Sequence, residues 1–254
     1  MTNLLEVSGL MMRFGGLLAV DNVSLTVKPH QVHSIIGPNG AGKTTVFNCI
    51  SGFYRPSGGQ ILFRDQPIER LTGHRISRLG LVRTFQHVRL FNSMTVLENL
   101  LVAQHRHLNT NYFAGLLNTP RYRKRHTEAM AQAVFWLEQV GLLAFANREA
   151  GYLSYGQQRR LEIARCMVTR PSLLMLDEPA AGLNPKETSE LDQLILQLRD
   201  KHDISVLLIE HDMGLVMGIS DHITVINQGA PLADGTPLEV RENPDVIKAY
   251  LGES

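Results

Sequence analysis

Apolar positions change their spacing along this chain, and each change marks a different kind of element. In VDNVSLTV, Val23, Leu25 and Val27 alternate with polar residues, the period of a half-buried strand. QVHSIIG is a short apolar strand that runs into a glycine-rich loop. GGQILFRDQ follows a Pro-Ser-Gly-Gly turn and reads as another strand. Before Ser93 the chain therefore reads as strands joined by turns, with a helix opening at KTTVFNCISGF.

From Ser93 to Gly151 the spacing becomes helical. MTVLENLLVAQH and HTEAMAQAVFWLEQVGLL carry it, and in the second Ala129, Ala133, Trp136, Leu137 and Val140 share one face. Between them RHLNTNYFAGLLNTPRYRKRH, broken by Gly115 and Pro120, reads as a long, partly irregular link. This region is an inserted helical subdomain. Strand and helix then alternate again. SLLMLDEP and DISVLLIEHD are continuously apolar, as central parallel strands are. Between them KETSELDQLILQLRD turns Leu191, Leu194, Ile195 and Leu198 inward. HITVINQGAPLADG predicts a hairpin turning near Gly229, and EVRENPDVIKAYLGE predicts short closing helices.

Composition narrows the function classes. The 254 residues are 44% hydrophobic and 19% charged, with a net charge of +1, which is ordinary for a globular protein. No basic field is present to hold nucleic acid non-specifically. The two cysteines, Cys49 and Cys166, follow no metal or redox spacing and read as buried thiols in a reducing compartment. The opening MTNLLEVSGLMMRF is not patterned as a secretory signal. No apolar run approaches the roughly 18 residues that span a bilayer. The chain is expected in the cytosol, or on a membrane only through a partner.

GPNGAGKT, from Gly37 to Thr44, fits G-x-x-x-x-G-K-S/T. Its glycines let successive N–H groups point at one phosphate, Lys43 neutralises β/γ oxygens, and the Thr44 hydroxyl can ligate Mg²⁺. The spacing is not that of a dinucleotide fold. In LLMLDEP, Asp177 ends a buried strand, where an acid can hold Mg²⁺, and Glu178 can polarise an attacking water. The competing reading is an acid pair capping the next helix. His211 ends a strand of the same sheet, at the edge where open α/β sheets bind ligands. Gln86 ends GLVRTFQ, just before the insertion, where it can bridge a metal and a water. A second anion site follows: Ser154-Tyr155-Gly156 opens a helix whose first amides have no internal partner.

The order of glycine loop, TFQ, LSYGQ, LLMLDEP and EHD resembles the ATP-binding cassette ATPase family over essentially the whole chain. The resemblance implies an α/β P-loop NTPase fold. It has a RecA-like core, an N-terminal antiparallel β subdomain and an inserted α-helical subdomain, with residues 1–92 and 156–254 as core and 93–155 as helical part. It also explains the second anion site: two such chains pack head to tail, and each signature turn closes on the ATP held by the other. It implies ATP on Gly37, Pro38, Asn39, Gly40, Ala41, Gly42, Lys43, Thr44 and Thr45, with adenine stacked on Phe14 near Val20. Ser154, Gly156 and Gln157 would reach the partner's ATP. Mg²⁺ would be held by Thr44, Gln86 and Asp177; Glu178 would be the base, and His211 would hold the γ-phosphate.

Tyr155 stands where the family signature has Gly, and Asn184 where an Asp is common. GLMMRFGGLLAVDNVSL, VRTFQHVRLFNSMTVLENLLVAQH, ARCMVTRPSLLMLDEPAAGLNPKET and AYLGE resemble the ATPase subunits of bacterial branched-chain amino acid importers, specifically the larger of the two. That resemblance implies ATP hydrolysis coupled to separate transmembrane permease subunits. It further implies a like or unlike second ATPase, a periplasmic substrate-binding protein, and a place on the inner face of the bacterial membrane. Related systems for urea, amides or lipopolysaccharide export, and soluble cassette ATPases, are the alternatives. RYRKRH, from Arg121 to His126, reads either as a solvated helix face or as a contact with anionic lipid headgroups.

Overall fold

The computed structural model describes residues 3–84, 88–108 and 120–251, with backbone only at 105–108, 121–122 and 251. In chain order the elements are β1 (Leu5–Phe14), β2 (Leu17–Val27), β3 (Val32–Ile36), α1 (Lys43–Ile50), β4 (Gly58–Phe63), β5 (Gln66–Pro67), α2 (Gly73–Leu79) and β6 (Leu81–Arg83). Then come α3 (Val96–Leu108), α4 (Pro120–Gln139), α5 (Tyr155–Met167), β7 (Leu173–Asp177), α6 (Pro185–His202) and β8 (Ser205–Ile209). α7 (Met213–Ile219), β9 (His222–Asn227), β10 (Ala230–Gly235), α8 (Pro237–Glu242) and α9 (Pro244–Leu251) follow. They form two compact units, one of residues 1–86 and 171–254, the other of residues 87–170.

The first unit holds two sheets. One is antiparallel, ordered β2-β1-β4-β5. In β1 the buried positions are Leu5 and Val7, then Leu10 and Met12. A register shift between Val7 and Leu10 changes the phase, at left-handed Gly9, so that both pairs face the core. The other sheet is ordered β10-β9-β3-β8-β7-β6, parallel except for the β9–β10 hairpin. Every residue of β3, β7 and β8 is buried, as their unbroken apolar runs require. The carboxyl ends of β3, β8 and β7 therefore lie side by side, and Gly37, Glu210 and Glu178 each follow one of them.

Two local expectations change. HRISRL is helical in α2, a seven-residue helix with one buried side chain, Ile76. So short a face leaves little periodicity to read. The irregular link also ends earlier than expected, because α4 begins at Pro120. Proline is tolerated in a first helical turn, where its missing N–H leaves no bond unmade. RYRKRH thus lies on the first turns of α4, with Arg123 and Lys124 exposed.

In the second unit the expected face of α4 is buried at Ala129, Ala133, Trp136 and Leu137, and at Val140 just past its end. Buried Asn99 clamps the turn before α3: its amide donates to the carbonyls of Phe91 and Thr95 and its Oδ1 accepts the Phe91 N–H. The helical unit extends through α5 to Arg170. Both cysteines are buried free thiols, pushed up by burial to about 11 for Cys49 and about 12 for Cys166.

His33 of β3 is fully buried in the first unit. Its Nε2 lies 2.9 Å from Thr224 Oγ1, and its ring centroid lies 5.1 Å from that of His222. Burial first, and the His222 charge second, lower its pKa from 6.5 to about 4. The folded state therefore resists this proton more than the unfolded chain does. The His33 contribution is intact above pH 6.5 and is lost as pH falls through about 4. It amounts to about 3 kcal/mol. Urea melts between pH 7 and 4 should show wild type losing about that much more stability than His33→Gln. Parallel pH profiles would remove His33 as the cause.

Candidate functional site

Gly37–Thr45 joins β3 to α1. Two of its glycines are fixed by space as well as by angle. A Cβ on Gly37, at φ +150°, would meet Ile226 O at 1.9 Å; one on Gly42, at φ +96°, would meet Ala19 O at 2.7 Å. Gly42 caps α1 without a side-chain bond, so the first-turn amides remain available to an anion. Lys43, only 7% exposed, donates from Nζ to Gly37 O at 2.6 Å and Pro38 O at 2.9 Å. Burial lowers its pKa, against the opposing charges of Glu178 and Asp177.

This loop forms one wall of a cavity of about 420 Å³. Asn39 through Thr45 line it, with Glu178 at one side, Leu17–Ala19 at another, and the Gln228–Gly229 hairpin turn closing it. Glu178 is a non-glycine residue at φ +46°, and its N–H is held by Ile209 O at 2.9 Å. Left-handed backbone at such a residue costs about 1–3 kcal/mol. It breaks the extended backbone of strand β7 at the point where Glu178 lines the cavity. Asp177, one residue earlier, is 2% exposed and takes a 2.7 Å hydrogen bond from Arg83 Nη2.

The hard oxygens of Thr44 and Asp177 suit Mg²⁺, which takes one or two carboxylates plus substrate phosphates rather than an all-protein cage. Among the described residues there is no cluster of three or more His, Cys, Asp and Glu that could hold a metal. The capping alternative for Asp177 and Glu178 finds no support in the cap of α6, which belongs to Asn184. Its Oδ1 accepts the N–H groups of Lys186 and Glu187, and Glu187 accepts its N–H in return. The uncharged Asn thus serves as a complete cap.

Phe14 and Val20 do not line the cavity. Val20 is fully buried beneath the loop. Phe14 is 42% exposed and meets Tyr54 edge-on at 5.3 Å. In the β1–β2 register, however, it lies opposite Leu17, which does line the cavity. Gln86 lies outside the described residues. The His211 side chain is 59% exposed, while its N–H is held by Glu210.

Ser154, Gly156 and Gln157 stand at the start of α5 in the helical unit. Ser154 Oγ accepts the Gln157 N–H at 3.3 Å, and Gln157 Oε1 accepts the Ser154 N–H at 3.0 Å, a capping box. Ser154 itself is exposed. Tyr155 is held one turn on: buried Arg159 donates to its hydroxyl at 2.8 Å, sits over its ring and pairs with Glu162.

Three residues at the site escaped the sequence reading. Arg83 donates to Asp177 and to α1. Fully buried Glu210 accepts the N–H groups of Ala180 at 2.8 Å and His211 at 3.1 Å, so one carboxylate holds the loops after β7 and β8. Burial raises its pKa, against those bonds. Tyr250 of α9 reaches the Gly37 backbone with its hydroxyl. The available signals were a charge inside an apolar strand, in LVR and SVLLIE, and nothing at all for Tyr250.

A family profile described as "ABC transporter" matches residues 20–181, and one described as "Branched-chain amino acid ATP-binding cassette transporter" matches residues 230–254. The chain is similar to the high-affinity branched-chain amino acid transport ATP-binding protein BraF of Pseudomonas aeruginosa. The two are 69% identical over 99% of this chain and 98% of BraF. Similarity to LivG of Escherichia coli, of the same description, is 67% over the same shares. Among solved structures, the ADP conformation of MJ1267, an ATP-binding cassette of an ABC transporter, superposes with a TM-score of 0.86. It is 33% identical, and the match covers all of both chains.

Proposed function

This chain belongs to the ABC transporter family as one of its ATPases, and we propose that it energises the uptake of branched-chain amino acids through separate transmembrane permease subunits. The observation that carries the substrate reading is identity of 69% and 67% along nearly the full length of two relatives described in those terms. The match of residues 230–254 to the branched-chain amino acid profile adds to it.

The chain binds and hydrolyses ATP. The loop amides and Lys43 take the phosphates. Phe14, exposed beside Leu17, stacks on adenine, while Val20 supports the loop from below. Thr44, Asp177 and Gln86 would hold Mg²⁺, which would supply neutralisation of the phosphate charge. Glu178 takes the proton of the attacking water, and His211 holds the γ-phosphate. Ser154, Gly156 and Gln157 contact the ATP of a second ATPase packed head to tail. A periplasmic substrate-binding protein delivers the cargo on the far side of the membrane.

No helix of the described residues is long and apolar enough to cross a membrane. The reading places the chain on the inner face of the cell membrane, held there by the permease.

Cells lacking this chain should lose high-affinity uptake of labelled leucine, isoleucine and valine. Wild type should restore it and Glu178→Gln should not. Unchanged uptake, with loss of urea or amide uptake instead, would overturn the substrate reading.

A further inference from the structure

Asp177 is the last residue of a central strand, and its carboxylate already has a cation. Arg83 sits on β6, in register with Met175 of β7. Its side chain is 11% exposed and that of Asp177 is 3% exposed. The guanidinium is fixed from three sides. Nη2 donates to Asp177 Oδ2 at 2.7 Å. Nη1 donates to Asn48 Oδ1 at 2.6 Å and to Ser51 Oγ at 3.0 Å, one on α1 and one at its end. Its Cζ lies over the Phe47 ring, 5.5 Å from the centroid. A planar fork can make these contacts together, whereas an ammonium cannot.

We propose that Arg83 is a positioning residue for ATP hydrolysis. It is the fixed counter-ion of Asp177, and it sets how strongly nucleotide binding depends on Mg²⁺. This rests on the reading of Asp177 as a Mg²⁺ ligand. One carboxylate oxygen is occupied by Arg83, so the metal is offered the other in a set orientation. The arginine also competes electrostatically with the metal for the same charge. Without it, Asp177 is a buried carboxylate lacking its partner, a costly state that a divalent cation relieves. Orientation suffers less, because Asp177 is held in the ladder opposite Ile209 of β8. Removing the arginine's charge should therefore tighten the coupling between metal and nucleotide.

The measurement is a titration with a slowly hydrolysed fluorescent ATP analogue, in excess Mg²⁺ and in EDTA. The ratio of the Kd in EDTA to the Kd in Mg²⁺ isolates the metal from general effects on folding or phosphate binding. Arg83→Gln should raise that ratio roughly tenfold or more, since a unit charge a few ångströms away contributes at least that much at an effective dielectric of about 20. Arg83→Lys, which keeps the charge, should stay within about twofold of wild type on the same reasoning. Arg83→Met is the second neutral variant if the glutamine fails to fold. Asp177→Asn should bring the ratio down towards one. If the neutral variants match wild type while Asp177→Asn collapses the ratio, Arg83 is only structural and the proposal falls. A shift of equal size in Arg83→Lys and Arg83→Gln also overturns it, because charge is then not the agent. If Asp177→Asn leaves the ratio unchanged, the metal reading fails first and takes this one with it.

Discussion

Lys43→Ala should abolish useful hydrolysis and weaken ATP binding by about 100-fold, as expected for losing charge-assisted hydrogen bonds together worth about 3 kcal/mol. The ammonium is buried, and its lowered pKa reports the cost of holding it there. For a lysine lowered in this way, stability is full above the ordinary value of 10.5 and is reduced as pH falls through the folded value. At neutral pH the folded protein therefore carries a poorly solvated cation, and a polyphosphate offsets that cost. ATP should raise the melting temperature of wild type and leave that of Lys43→Ala nearly unmoved, while the two nucleotide-free proteins melt close together. The substitution removes a desolvated charge along with two hydrogen bonds to Gly37 and Pro38, terms of opposite sign. Nucleotide titration with Mg²⁺ checks the affinity. An unchanged value would mean that the loop from Gly37 to Thr45 is not the phosphate site.

Much of this was legible in the sequence because the relevant signals are local. Strands β3, β7 and β8 are buried on both faces, so their apolar runs and the motifs at their ends could be read together. The hairpin near Gly229 showed itself through its turn residues, and the α6 face through its 3.6-residue period. What could not be read depends on partners distant in sequence. Arg83 meets Asp177 across 94 positions, and Glu210 meets Ala180 across 30. The left-handed backbone of Glu178 leaves no mark on composition, since Glu is not a residue that favours it. Tyr155 looked like a departure from a pattern. Its stacking and hydrogen bond with Arg159 are an i, i+4 pair that helical spacing could have suggested once α5 was known to begin at that residue.

Glu178→Gln should lower hydrolysis by about 10²- to 10⁴-fold, the usual contribution of a general base, while ATP still binds. The amide keeps the size of the side chain and meets the same left-handed backbone at no greater strain than Glu, but it does not take a proton. ATP then persists in the cavity and should hold two chains together, each γ-phosphate lying between one chain's Lys43 and the other's Ser154. The state of Ser154 favours this role. It is exposed, and its Oγ acts as the acceptor of a long 3.3 Å bond within its own capping box, leaving the hydroxyl proton free to donate elsewhere. Arg at this position loses the cap, at a cost of about 1 kcal/mol, and fills the contact with bulk. Light scattering with and without ATP should therefore find Glu178→Gln dimeric with ATP, alone or with its partner ATPase added. Glu178→Gln with Ser154→Arg should bind ATP equally well but remain monomeric. If the double variant dimerises as readily as the single one, the turn at Ser154 does not bridge the two chains, and the presence of two anion sites in one chain needs another explanation.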